Sequence, residues 1–285
     1  MSLEAWRAGG STFEWRGHHI FEKVDGRGDV LLLIHGFPTA SWDWSTVWPE
    51  LCARFRVITF DMIGFGFSAK PRCFEYSIRA QADLCEAVLA RHDVGRYRLV
   101  AHDYGVTVAQ ELLARQRDRG ASAIDRVGLL NGALFPETHR AALTQRLLAS
   151  PLGPIVARLS SYRTFTATMR RIWGSHPVSD EELRAMWQLV IEGGGRAVLP
   201  ALIGYMEERR RERQRWVGAI VHTKVPVRLV NGLDDPISGA HMVARYRELV
   251  ASPDIAELRG VGHYPQVEAP DQVMRALLPF LERTS

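Results

Sequence analysis

Residues 99–106, L-V-A-H-D-Y-G-V, constrain the chain more tightly than any other stretch. An apolar strand runs into a sharp corner at Asp103, and a helix begins near Tyr104. Small residues stand on either side of the apex, Ala101 before it and Gly105 after it. The pattern is that of the G-x-S-x-G corner, a strained strand-to-helix turn that exposes its apical side chain, with an aspartate in place of the serine. Taken alone, Asp103 reads equally well as an ordinary helix cap.

The companions decide between these readings. Leu31-Leu32-Leu33-Ile34 is a short buried strand that ends in His35-Gly36-Phe37-Pro38. A loop of this kind beside the corner supplies one backbone N–H to a developing oxyanion, and the residue after the apex supplies the other. The expected donors are therefore Phe37 and Tyr104. Val57-Ile58-Thr59-Phe60 forms a second strand, entering a turn at Asp61 where Gly64 and Gly66 permit a reversal. Asp61 is expected to brace that turn, and His35 to hold its own loop by hydrogen bonds. Val227-Arg228-Leu229-Val230 leads into Asn231-Gly232-Leu233-Asp234-Asp235, which presents an acid at a strand end. His263 follows the strand over residues 255–258 in a glycine-flanked loop. Apical residue, acid and histidine thus occur in the chain order of a catalytic triad.

The apical carboxylate determines the chemistry. A serine at the corner would give a labile acyl ester. A carboxylate displaces instead at an sp3 carbon, opening an epoxide or expelling a halide to leave an alkyl ester on the protein.

At 285 residues the chain accommodates one large α/β domain with an inserted subdomain. Its apolar fraction of 46% and charged fraction of 24% are those of a soluble globular protein. The net charge of +4 suggests basic surface, but acidic residues interleave with arginines in the run at 207–215. That run is read as a solvated helix face with i,i+4 pairing, and nucleic acid is excluded as a partner because no recognition motif accompanies it. Three cysteines, Cys52, Cys73 and Cys85, lack metal-ligand spacing and suit a reducing compartment. The first ten residues lack a basic region followed by an apolar core. No apolar run approaches the ~18 residues of a membrane span. A cytoplasmic protein without a membrane partner is the expectation.

Strands and helices alternate through the first half, predicting a mostly parallel central sheet with helices on both faces. A strand is expected over 18–24, a helix over 78–91 capped by Ser77, a helix over 104–119 and a strand at 127–130. From 136 to 219 helical stretches broken by proline and glycine replace this pattern, and sheet logic resumes at Val225. The organisation is thus a core of residues 1–135 and 220–285, with a helical cap over 136–219. The cap would cover the carboxyl ends of the strands, where ligands bind in such sheets.

Specific stretches carry a family likeness. These are H-G-F-P-T-A-S-W-D-W at 35–44, D-M-I-G-F-G-F-S-A-K-P at 61–71, A-H-D-Y-G at the corner, N-G-A-L-F-P-E-T-H-R at 131–140, R-W-V-G-A at 215–219 and H-Y-P-Q-V-E at 263–268. With them the chain resembles the epoxide hydrolase and haloalkane dehalogenase branch of the α/β-hydrolases, and within it the mesoderm-specific transcript type. The resemblance implies that Asp103 is the nucleophile, His263 the base that activates water, and Asp235 the acid orienting His263. Asp234 is the rival acid by adjacency. It also implies cap tyrosines that bind substrate and protonate an epoxide oxygen. Tyr205 looks like one, and Tyr162 is the nearest candidate for the second. No metal or cofactor is implied.

Dehalogenases of this branch usually carry tryptophan after the nucleophile and often asparagine after the H-G pair. Here Tyr104 and Phe37 stand in those places. The sequence therefore predicts an epoxide hydrolase acting on a small-molecule epoxide and water as a monomer or homodimer. The alternatives are a haloalkane dehalogenase with the same nucleophile, or a non-catalytic binding protein on the same fold.

Overall fold

The apolar tetrapeptide at 31–34 lies at the centre of an eight-stranded sheet. A computed structural model describes residues 1–283. The strands are β1 (Ser11–Trp15), β2 (His18–Asp25), β3 (Val30–Ile34), β4 (Arg56–Phe60), β5 (Tyr97–His102), β6 (Ile124–Leu130), β7 (Val227–Gly232) and β8 (Asp254–Leu258). Their spatial order is β1-β2-β4-β3-β5-β6-β7-β8. The first two are antiparallel to their neighbours, and every pair from β4 onward is parallel. Burial on both faces explains the continuous apolar runs of β3, β4 and β5.

Helices Ile78–Arg91 and Tyr104–Arg119 occupy the expected positions. Ser77 caps the first, its Oγ accepting the Ala80 N–H at 3.1 Å. The sequence reading did not include β1. Only Trp15 of its five residues is buried, and its hairpin turns through Arg16 and Gly17, both at positive φ. That backbone suits a tight hairpin, but Arg-Gly is not the usual turn signature.

Between β6 and β7 the described chain is helical and contains no strand. This insertion is seated on the core by Met169, Ile172, Leu183 and Met186, which pack with Ile237 and Tyr264. One stretch, Asp180–Arg211, is by length and composition long and apolar enough to cross a membrane, contrary to the sequence expectation. It is not a single rod, because Gly193 and Gly194 at φ 55° and 79° break it, and Leu183, Met186, Leu189 and Leu202 are buried.

The charge run at 207–215 also differs from expectation. It is divided between helices Tyr205–Arg211 and Arg213–Val221. Much of it joins insertion to core rather than facing solvent. Buried Glu208 accepts the Ile78 N–H at 2.9 Å, thereby capping a core helix. Buried Arg209 donates to the Ala133 carbonyl at 2.7 Å. Arg215 donates to Glu111 at 2.7 Å and to Asp118 at 2.6 Å. Tertiary partners replace the expected i,i+4 pairs because the insertion lies directly on helix Tyr104–Arg119.

Candidate active site

Asp103 stands between the end of β5 and the start of the following helix, at φ 46° and ψ −108°. Such backbone in a non-glycine residue costs on the order of 1–3 kcal/mol and persists only where packing enforces it. Two glycines make that packing possible. A Cβ on Gly105 would lie 2.6 Å from the His35 carbonyl oxygen, and one on Gly36 would lie 2.8 Å from the Asp103 Cβ. The corner therefore sits directly against the loop that follows β3.

That loop reaches the carboxylate. The Phe37 N–H donates to Asp103 Oδ2 at 3.0 Å. Buried His35 holds the loop as expected, with Nδ1 2.8 Å from the Gly36 carbonyl and Nε2 accepting the Met62 N–H at 3.0 Å. Burial lowers its pKa to about 4, so the ring is neutral and one nitrogen is free to accept. Asp61 braces its turn by accepting N–H groups of Ser41 at 2.8 Å and Phe67 at 2.7 Å. The Tyr264 hydroxyl donates to the Phe37 carbonyl at 3.3 Å, tying this loop to the one that carries His263.

His263 Nδ1 donates to Asp235 Oδ2 at 2.8 Å, and its Nε2 stands 3.7 Å from Asp103 Oδ1. Burial disfavours the imidazolium, but the charge and hydrogen bond of Asp235 and the charge of Asp103 outweigh it and raise the pKa to about 9. Burial would likewise raise Asp235. Its bonds to His263, Asn131 and Ser238 prevail and hold it at about 2. Between the rival acids the placement is unambiguous: Asp235 is buried on the imidazole, whereas Asp234 faces solvent.

Four positioning residues escaped the sequence reading. Asn131 Nδ2 and Ser238 Oγ donate to Asp235 Oδ2 at 3.0 and 2.7 Å. His102 Nε2 donates to the His263 carbonyl at 2.7 Å, and burial with the charge of His263 lowers its pKa to about 4. Glu268 accepts the N–H groups of Gly262 and Tyr264, at 2.8 and 3.0 Å, on either side of His263. The only local signal was Asn131-Gly132 at the end of β6, where Asn131 adopts φ 33°.

The two expected cap tyrosines part company. Tyr205 is buried, its ring 4.8 Å from that of Tyr104 and 6.3 Å from that of Phe37. Its hydroxyl has no hydrogen-bond partner among the described residues. Burial and the charge of Asp103 push its pKa up, opposed by the Arg209 guanidinium 4.6 Å from the ring centre. Tyr162 lies elsewhere. Half-buried at the start of helix Tyr162–Ile172, it donates to the Asp180 carbonyl at 3.4 Å and packs under Arg184. The structure does not bring it to Asp103: Tyr162 packs at the edge of the apolar cluster that Met169 and Ile172 of the same helix enter, and its hydroxyl is taken by the Asp180 carbonyl.

Beside His263 and Phe37 opens a cavity of about 350 Å³. Leu148, Val156, Trp187 and Ile237 make it predominantly apolar. A buried carboxylate, an imidazole poised for proton transfer and an apolar chamber together suit attack on an uncharged organic electrophile.

Comparison with known proteins agrees with this geometry. Residues 31–276 match the alpha/beta hydrolase family. The mesoderm-specific transcript protein of Mus musculus is 37% identical, the alignment covering 98% of this chain and 88% of that protein. The hydrolase LipZ of Mycobacterium tuberculosis is 40% identical over 98% of both chains. Among solved structures, an alpha/beta hydrolase fold protein from Burkholderia ambifaria superposes with a TM-score of 0.80 at 24% identity, covering 94% of this chain and 97% of that one. With its sheet order, its corner at Asp103 and these relatives, the chain belongs to the alpha/beta hydrolase family.

Proposed function

We propose that this hydrolase opens epoxides to vicinal diols through an alkyl ester on Asp103. The observation that carries the reading is the Tyr205 hydroxyl, buried without a partner beside Phe37 and Tyr104. A neutral O–H donor held there fits an alkoxide that forms during ring opening. It has no equivalent task in the transfer of an acyl group to serine.

In the first step Asp103 Oδ1 attacks an epoxide carbon, the ring C–O bond breaks, and the departing oxygen takes the Tyr205 proton. Oδ2 becomes the ester carbonyl oxygen and stays on the Phe37 N–H. Esterification removes the charge of Asp103, one of the three anions, with Asp235 and Glu268, that hold His263 protonated. The imidazole pKa then falls and the imidazolium gives its proton up to solvent, regaining one when the Asp103 charge returns. The neutral His263 ring can meanwhile accept a proton from water. The resulting hydroxide attacks the ester carbonyl, with the Phe37 and Tyr104 N–H groups stabilising the oxyanion. Collapse releases the diol oxygen, which takes the proton from His263. The regenerated Asp103 acid returns its proton to Tyr205.

Halide displacement would use the same nucleophile, but Phe37 offers no side-chain donor to a halide. An assay of epoxides and haloalkanes on one preparation tests the choice: diol formation without halide release is expected, and the reverse would overturn it. Single turnover in heavy-oxygen water tests the covalent step. Label should enter the Asp103 carboxylate and be absent from the first diol released.

A further inference from the structure

Seven large apolar side chains are exposed among the described residues, and five of them fall between 143 and 159: Leu143, Leu147, Leu152, Ile155 and Leu159. Leu159 is the extreme, at 73% exposure. They belong to helices Leu143–Leu148 and Gly153–Leu159 and the turn between them. Leu143, Arg146 and Leu147 follow the spacing i, i+3, i+4, and Ile155, Arg158 and Leu159 repeat it. Each helix thus sets two apolar side chains and an arginine along one stripe.

The charge of this region is one-sided. Residues 138–179 contain six arginines and no aspartate or glutamate. That excess exceeds the +4 of the whole chain. The run at 207–215, by contrast, interleaves its five arginines with three glutamates. Arg146, Arg158, Arg163 and Arg171 are exposed and form no ion pair among the described residues. The patch also adjoins the cavity, since Leu147 and Leu159 both line it and face solvent.

We infer that this face docks on an anionic lipid surface, so that lipophilic substrate enters the cavity from the bilayer. Apolar side chains flanked by arginines on short helices are the features of an interfacial contact. Charge complementarity selects the occupant. A second copy related by a twofold axis would set arginines against arginines, whereas anionic headgroups neutralise them. This surface departs from the expectation of no membrane partner. It does not depend on which electrophile Asp103 attacks.

The test is co-sedimentation of the full chain with vesicles of phosphatidylcholine alone or mixed with phosphatidylglycerol, with sedimentation velocity alongside. Binding to the mixed vesicles, weakened by salt, is expected. Arg146→Gln with Arg158→Gln should weaken it about five-fold per arginine. Leu152→Ser with Ile155→Ser should abolish it while the melting temperature is unchanged. Neither pair lines the cavity, and no turnover is measured, so failure here is distinct from failure of the epoxide reading. Absence of binding to either vesicle, or binding unaffected by both variant pairs, would overturn the proposal. So would a dimer that the Leu152→Ser, Ile155→Ser variant dissociates without any vesicle binding, because the occupant would then be a second copy.

Discussion

Asp103 Oδ1 and His263 Nε2 lie 3.7 Å apart, too far for a direct hydrogen bond. Asp103 Oδ2 is meanwhile engaged by the Phe37 N–H at 3.0 Å. The two carboxylate oxygens are therefore already distinguished: one is held as the future carbonyl, and the other faces the base. A water between His263 and the ester carbonyl would be placed for hydrolysis.

Separating the two steps is the first prediction. His263→Gln keeps the Asp103 carboxylate but removes the base, a contribution typically worth ~10²- to 10⁴-fold. The alkyl-enzyme should accumulate, visible by intact mass as a gain equal to the epoxide. Asp103→Asn should show no adduct, because an amide is a poor nucleophile. Full steady-state turnover in the His263 variant would remove it from the mechanism.

Tyr205→Phe probes the earlier step. It removes the donor to the forming alkoxide but no group that acts on the tetrahedral intermediate. Stopped-flow alkylation should slow by roughly 10²- to 10³-fold, the usual effect of losing one such donor. Decay of a preformed ester should be nearly unaffected. Equal slowing of both steps would assign Tyr205 a packing role.

The acid can be tested as a pair. Asp235→Asn leaves an amide on His263 Nδ1, disturbs its tautomer and should lower turnover on the order of 10⁴-fold. Asp234→Asn changes an exposed side chain and should leave turnover near wild type. Equal losses in both would contradict the assignment.

Stability should report the same charges. His263 moves from an ordinary 6.5 to about 9 on folding, so its contribution is fully present below pH 6.5 and is lost as pH rises through about 9. Asp235 moves from 3.8 to about 2, so its contribution is present above pH 3.8 and is lost as pH falls toward 2. The melting temperature of the wild type should therefore decline between pH 6.5 and 9. Asp103→Asn should decline less, since one anion that raises His263 is gone, and His263→Gln should be nearly flat there.

What the sequence revealed follows from how local each signal is. Apolar runs at 31–34, 57–60 and 99–101 mark buried parallel strands because both faces of each strand need apolar side chains. Asp103, Phe37 and His263 are legible because each sits at a strand end in a turn of limited sequence. Tyr162 is different. A helical pattern shows that the residue lies on a helix, but not which face meets the chamber. The partners of Arg209 and Arg215 are Ala133 and Glu111, 76 and 104 positions away. No i,i+4 rule reaches that far. The exposed leucines at 143–159 were hidden for the same reason, since apolar helix residues read as core until the structure shows nothing covering them.

Gly105 offers the most direct test of the corner itself. Its place is fixed by backbone rather than by flexible side chains, with the carbonyl oxygens of His35 and Ile34 2.6 and 2.7 Å from where a Cβ would stand. Neither atom can yield without moving β3. Gly105→Ala should therefore push the helix from the loop and cost about 1–3 kcal/mol, the range for overpacking a tight interior. The same shift would lengthen the Phe37 N–H contact to Asp103 Oδ2 and reduce ester hydrolysis. A control, Gly95→Ala, has nothing within 4 Å of its added methyl and should change neither property. Thermal melts and ester decay rates for the two variants would measure this, and an unaltered melt in Gly105→Ala would contradict the close approach.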